Sequence, residues 1–226
     1  MSSIFKKNSF KNPAKNIICT DFEVDNWVVS EFVIKKLLPV VGYHPFPLNE
    51  LMLMTSAVCR FNPVLIFEWG TNIGKSARVF SEILTTFNIP CHIHSIDLLD
   101  DVFHSEHPHE NRGMLVKGKN NVTLHQADGL IKSLEIYKKE NPKGNVLFFV
   151  DGDHSYESVK KELKTILENI PQAIVILHDT FYQSSESGYN IGPFVAVNEV
   201  VNTDKYSIIS TQMGLPGMSL VYKKSL

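Results

Sequence analysis

A chain of 226 residues, 43% hydrophobic and 20% charged, has the length for one full hydrophobic core and is cramped for two. Its 22 Lys and Arg against 24 Asp and Glu leave a formal charge of -2, which gives no electrostatic reason to expect a nucleic-acid groove. Cys19, Cys59 and Cys91 are too widely and irregularly spaced for a disulfide framework or a zinc motif; with no secretory apolar region and no run near the roughly 18 residues of a membrane span, a cytoplasmic protein without a membrane partner is expected.

Met1 to Lys15 carries Lys6, Lys7, Lys11 and Lys15 with no acid, so residues 1–20 read as a flexible basic arm ahead of a single domain over 21–226. Within that domain, 21–61 supplies leading helices and 62–226 an α/β core. From Asp21 to Val41 the apolar residues Trp27, Val28, Phe32, Val33, Leu37 and Leu38 recur at three-four spacing, which predicts an amphipathic helix. Gly42 to Pro47 breaks it, and Leu48 to Phe61 forms a second helix that Pro63 ends.

Val64 to Phe67 is a short β-forming run closed by Glu68, followed by Gly70, Gly74 and a helix over Lys75 to Phe87. A strand, a tight glycine turn and a helix bring backbone N–H donors close to a ligand at the helix start. Gly70-x3-Gly74 lacks the Gly-x-Gly-x-x-Gly spacing of dinucleotide binders, and Lys75-Ser76 only half echoes a phosphate loop, so a pyrophosphate is not expected. The segment Glu68-Trp69-Gly70-Thr71-Asn72-Ile73-Gly74 resembles the cofactor loop of class I S-adenosylmethionine-dependent methyltransferases.

Cys91 to Ile96 reads as the second strand, ending at Asp97, where a carboxylate can accept from both hydroxyls of a ribose. Leu98 to Asn121 is long for a connection and reads as a lid with a short helix near Asn111 to Val116. Its His104, His107 and His109 show no helical i,i+4 pair, and Pro108 divides the last two, so no metal site is expected there. Val122 to Gln126 is a third strand and Gly129 to Lys139 a third core helix; Asp128 stands either as its cap, the stronger reading, or as a contact to the adenine. Asn145 to Val150 is continuously apolar, as a strand buried on both faces should be, and a helix over Tyr156 to Asn169 follows. Ala173 to Leu177 is the fifth strand, ending in His178-Asp179-Thr180. After a polar loop and a helix over Phe194 to Val201, Tyr206 to Ser210 and Met218 to Tyr222 read as a hairpin.

Asp151 and Asp179 close neighbouring strands, so their backbones are expected roughly 4.8 Å apart and their carboxylates within reach of one divalent cation. Phe149-Val150-Asp151-Gly152-Asp153-His154-Ser155-Tyr156-Glu157 and Ile174-Val175-Ile176-Leu177-His178-Asp179-Thr180 resemble the metal-dependent O-methyltransferase branch that includes macrolide-sugar methyltransferases and cephalosporin hydroxylase-like proteins. The resemblance spans Leu48 to Tyr222. It implies a Rossmann-like class I methyltransferase fold with a seven-stranded, mostly parallel sheet in the order 3-2-1-4-5-7-6. It also implies S-adenosylmethionine held by Glu68, Gly70 and Asp97, a magnesium-like cation at Asp151 and Asp179, and His154 as general base; Thr71, Asn72, Gly74, Ser76, Asp128 and Asp151 are expected at the cofactor too, and His178 stands either as a further metal ligand or as a non-ligand. Relatives have an acid where His178 stands, which weakens magnesium and brings manganese or iron forward. The expected activity is methyl transfer to a hydroxyl of a small molecule or sugar, with homo-oligomer formation left open. The alternatives are a cofactor-binding protein without transfer activity and a hydroxylase-type protein.

Overall fold

A computed structural model describes residues 10–14, 22–102, 109–187, 189 and 191–224. Lys6, Lys7, Lys15, Cys19, Asp21, His104, Glu106, His107 and Pro108 lie outside the described residues, as does the side chain of His109.

Seven strands form one sheet: β1 (Leu65–Trp69), β2 (His92–Asp97), β3 (Val122–Gln126), β4 (Val146–Val150), β5 (Ala173–His178), β6 (Tyr206–Ser210) and β7 (Met218–Lys223). Their order is β3-β2-β1-β4-β5-β7-β6, as the resemblance implied. The first five pair in parallel, while β7 runs antiparallel to both β5 and β6. Chain order reverses between β1 and β4, and in an open parallel sheet that reversal opens a crevice beyond the strand ends.

The central strands are apolar throughout because each face meets a separate core. Ile66, Leu147, Phe149, Ile174 and Ile176 point to one side with the leading helices, including α3 (Leu48–Phe61), and with α4 (Lys75–Phe87). Phe67, Trp69, Phe148, Val150, Val175 and Leu177 point to the other, with α5 (Gly129–Glu140), α6 (Tyr156–Asn169) and α7 (Ile191–Val200). Alternation along each strand divides these residues between the two layers, which is why period-two patterning is invisible in sequence here.

The leading helix differs from the expectation. It begins at Asn26, with Asp25 accepting from the N–H groups of Trp27 and Val28, and runs as α1 (Asn26–Phe32), a π turn (Val33–Leu37) and α2 (Leu38–Val41). Leu38 N–H reaches back five residues to Val33 O, directly before Pro39, which has no N–H to donate. Val29, Phe32, Val33, Leu37 and Val41 form the buried stripe, whereas Trp27, placed in it by spacing, is 85% exposed. The short helix expected in the long loop is instead two 3-10 turns, His109–Asn111 and Met114–Val116, separated by Gly113 at φ +65°. Among the described residues no helix is long and apolar enough to cross a membrane.

The start of α7 rests on the loop after β4. A Cβ added to Gly192 would lie 2.4 Å from His154 O and 2.6 Å from Tyr156 N. Gly192→Ala is therefore expected to destabilise the fold by about 1–3 kcal/mol through overpacking, read as a lower urea midpoint; an unchanged midpoint would show that this contact does not constrain the loop.

Candidate active site

The turn after β1 is shaped by close backbone approach. Gly70 has φ +88°, and a Cβ there would stand 2.3 Å from the carbonyl oxygen of Asp151, so the loops after β1 and β4 touch at a position only glycine fits. Gly74, at φ +85°, opens α4 without any side-chain cap, which leaves the helix start to its backbone donors. Asn72 also has positive φ, and its N–H donates to Asp97 Oδ2 at 3.3 Å. Thr71 Oγ1 lies 2.6 Å from Ser95 Oγ, and Ser76 Oγ donates to Glu68 Oε2 at 2.6 Å.

Glu68 falls inside β1 rather than after it and is fully buried, with Oε1 making no hydrogen bond. Burial, with smaller contributions from Asp151 and Asp97, outweighs the bonds from Ser76 and Ser95 and pushes its pKa up to about 7. Asp97 closes β2 with one oxygen accepting from Leu98 N–H at 2.9 Å and the other from Arg112 Nε at 2.9 Å. Arg112 comes from the long loop, which docks on the cofactor turn through Gly113 N–H to Asn72 O (2.8 Å) and Leu115 N–H to Ile73 O (2.9 Å). Asp128 caps α5 by accepting from Ile131 N–H at 2.8 Å, the stronger of its two expected roles. Beside it on α6 is Glu162: burial first, then Asp153 and Asp128, raise its pKa to about 8, partly offset by the Trp69 indole.

Beyond β4 and β5 lies a cluster of acids and imidazoles. One ligand atom each from Asp151, His154 and Asp179 lies within 4.8 Å of the other two. His154 Nε2 is 3.2 Å from Asp179 Oδ2 and 3.5 Å from Asp151 Oδ1, without an aligned hydrogen bond to either. Asp179 adopts φ +56°, a left-handed conformation that aspartate tolerates better than most residues, and accepts from Tyr189 Oη at 3.1 Å.

His178, open in sequence as a metal ligand or a non-ligand, stands between acids. Its Nδ1 lies 3.0 Å from Asp151 Oδ1 and 3.3 Å from Asp179 Oδ2, and its Nε2 is 3.1 Å from Glu50 Oε2, so both nitrogens face carboxylates. The cause is its position as the last residue of β5, under α3 and edge-on to Phe46 at 5.0 Å. Burial disfavours the His178 charge, but Asp151, Asp179 and Glu50 together raise its pKa well above 6.5. Burial likewise pushes Asp151 up, yet His178 and His154 carry it down to about 2. His154 is raised by Asp151, against burial and with help from Asp179.

Glu50, Arg112, Glu162 and Tyr189 were missed in the sequence. Glu50 alone left a signal there, as a lone acid on the α3 face that also carries Leu51, Met54 and Ala57.

Glu68 generates a test of burial. Folded protein holds the Glu68 proton up to about pH 7, whereas the unfolded chain releases it near 4.5. Its stabilising contribution is complete below pH 4.5 and is lost as pH rises through 7. Glu68→Gln lacks that titration, so its stability relative to the parent should improve by about 3 kcal/mol between pH 4.5 and 8 in denaturant titrations. A difference independent of pH would refute a proton-bearing Glu68.

A family profile described as Rhamnosyl O-methyltransferase/CmcI matches residues 46–214. Among solved structures, apo CalS11, a TDP-rhamnose 3'-O-methyltransferase of calicheamicin biosynthesis, is 18% identical, with 85% of this chain and 86% of that one covered at a TM-score of 0.53. An O-methyltransferase from Bacillus cereus in complex with SAH is 14% identical over 86% and 90% of the two chains, TM-score 0.54. SAH-bound PaMTH1 from Podospora anserina is 13% identical over 88% and 87%, TM-score 0.54. A comparison with curated protein sequences finds no match. With the family profile extending over most of the chain and the fold shared with these methyltransferases, the chain belongs to the Rhamnosyl O-methyltransferase/CmcI family and is an S-adenosylmethionine-dependent methyltransferase.

Proposed function

We propose that the enzyme transfers the methyl group of S-adenosylmethionine to a hydroxyl of a sugar or other small molecule, assisted by a divalent cation. The observation that carries this reading is the double position of Asp151. Its backbone oxygen abuts Gly70 in the glycine turn, and its side chain belongs to the cluster with His154 and Asp179, so the glycine turn and the acid cluster form one site. The sugar acceptor takes support from the family description and from CalS11, which acts on a rhamnose nucleotide.

In this reading the cofactor lies over Gly70, Thr71, Asn72, Gly74 and Ser76. Asp97 holds the ribose hydroxyls and Asp128 borders the adenine. Glu68 turns Oε1, buried and without an aligned hydrogen bond, toward the positively charged amino-acid end of the cofactor, whose charge favours the ionised carboxylate. Asp151 lies at the junction of cofactor and acceptor.

The donor set suits a divalent cation. Asp151 and Asp179 supply carboxylate oxygens, and the buried His154 Nε2 faces both without an aligned hydrogen bond. With His154 Nε2 kept for the acceptor proton, the ligands are carboxylate oxygens, which suit a hard divalent cation such as magnesium or manganese. When bound, such an ion offsets the carboxylate charge and acidifies an acceptor hydroxyl. Asp151 and Asp179 would hold it, with His178 outside the ligand set because Glu50 and the two aspartates already engage its nitrogens. His154 takes the proton of the acceptor hydroxyl at Nε2. Without a cation, Asp151 and Asp179 raise the His154 pKa; a bound cation opposes that shift by disfavouring the charged imidazole, which favours the neutral form a base needs.

Three measurements test the proposal. Calorimetric titration should detect S-adenosylhomocysteine binding, which Asp97→Ala weakens strongly; tight binding of a nicotinamide dinucleotide in its place would reject the pocket assignment. Incubation with S-adenosylmethionine, Mn²⁺ and a panel of nucleotide-linked and free sugars should yield S-adenosylhomocysteine, and excess chelator should abolish turnover. A chain that binds cofactor but transfers nothing to any acceptor would be a binding protein. His154→Ala should keep cofactor affinity, lose about 10²–10⁴-fold in turnover and lose the acidic limb of the rate profile; a mutant that retains that limb assigns the proton to another group.

A further inference from the structure

Glu50, beside the acid cluster, has no role in the proposed chemistry, and it is completely buried on α3. Both of its oxygens are committed. Oε1 accepts from Gly217 N–H at 2.9 Å, and Oε2 lies 3.1 Å from His178 Nε2. With Glu50 as a carboxylate, which only accepts, the contact at Oε2 puts a proton on Nε2. The opposite nitrogen, Nδ1, lies 3.0 Å from Asp151 Oδ1 and 3.3 Å from Asp179 Oδ2, where a proton is again the only partner for a carboxylate. His178 is therefore a two-ended donor clamped between acids from α3 and from the ends of β4 and β5, with Phe46 edge-on against its ring at 5.0 Å.

His154 Nε2 approaches the same two oxygens, Asp151 Oδ1 and Asp179 Oδ2, from elsewhere, at 3.5 and 3.2 Å. The two imidazoles are not equivalent. His154 is free of any further anchor at Nε2 and is half-buried, whereas His178 is fixed at its far end by a buried carboxylate. We infer that Glu50 is a positioning residue: through His178 it holds the inner oxygens of Asp151 and Asp179 at a fixed spacing, and so sets the affinity of the site for a divalent cation. The inference deepens the proposed function and rests on its assignment of Asp151 and Asp179 as cation ligands. The competing role is purely structural, with Glu50 fastening the turn before β7 through Gly217.

The test uses the full chain as parent, Glu50→Gln, His178→Gln and the double variant. Gln can accept at only one of the two positions that Glu50 serves. Mn²⁺ alone is titrated into each protein, and the imidazole N–H protons are followed by NMR. Glu50→Gln should weaken Mn²⁺ binding by about 10- to 100-fold, the range for partners that orient metal ligands, and shift the His178 Nδ1–H signal. S-adenosylhomocysteine affinity should stay unchanged. The double variant should bind Mn²⁺ no more weakly than His178→Gln, because Glu50 acts only through His178. Additive losses, or a Glu50→Gln spectrum with unmoved His178 signals, would overturn the inference. If the parent takes up no Mn²⁺, the cation assignment falls, and the NMR comparison alone decides whether Glu50 orients His178. Should Glu50→Gln fail to fold, Glu50→Asp withdraws the carboxylate by one methylene and is judged by the same signals; a parent spectrum without an Nε2–H signal that disappears in His178→Gln also overturns it.

Discussion

Two aspartates beyond the ends of adjacent parallel strands would repel one another, and the fold brings them together anyway. The cost is met by two imidazoles that touch the same pair of oxygens, Asp151 Oδ1 and Asp179 Oδ2, from different directions. His178 belongs to β5 itself and is anchored in the core, while His154 sits on the loop that follows β4. The strained backbone of Asp179, a cost on the order of 1 kcal/mol or more, is held by these contacts and by Tyr189.

Glycines transmit that constraint to the neighbouring loops. Gly70 allows the β1 turn to lie against the Asp151 carbonyl, and Gly192 allows α7 to start against the backbone of His154 and Tyr156. The loop carrying Asp151 and His154 is thus held from the cofactor turn on one side and from α7 on the other. Both contacts are backbone against backbone, so a side chain at either position has no route of escape by changing rotamer.

Much of this was legible in the sequence. The bounds of α3, α4, α6, β3 and β6 follow from apolar periodicity and from Gly, Pro and Asn at the ends, and the apolar run of β4 identified a strand buried on both faces. Asp97, Asp151 and Asp179 at strand ends could be read because parallel strands deliver their last residues to one crevice. Two kinds of information were lost. Within α1 the buried face is set by Val29 and Phe32, and Trp27, five residues before Phe32, falls off it and is exposed although apolar content alone places it inside. Partnerships across long separations, such as Glu50 with His178 and Gly217 with Glu50, depend on which helix covers which strand end. Local spacing carries no trace of that beyond the oddity of an acid on a buried face.

The segment over the cofactor turn raises a separate question of what holds it there. Arg112 binds Asp97, the residue proposed to receive the ribose, so a strap secured mainly by this ion pair would have to lift for the cofactor to enter. Its second arm, to Asp100, reaches a carboxylate side chain that is 68% exposed, where such pairs contribute little. The backbone bonds from Gly113 to Asn72 and from Leu115 to Ile73, together with Arg78 on Leu115 O at 2.8 Å and Lys119 on Glu82 at 2.7 Å, are independent of Asp97. Val116 is buried against the core, and Gly113, at φ +65°, lies against the Leu124 side chain. Each backbone bond contributes about 1 kcal/mol and the buried valine about 2, so much of the docking comes from contacts that Arg112 does not share. Asp97 can therefore trade the guanidinium for hydroxyl donors while the wall of the crevice stays in place.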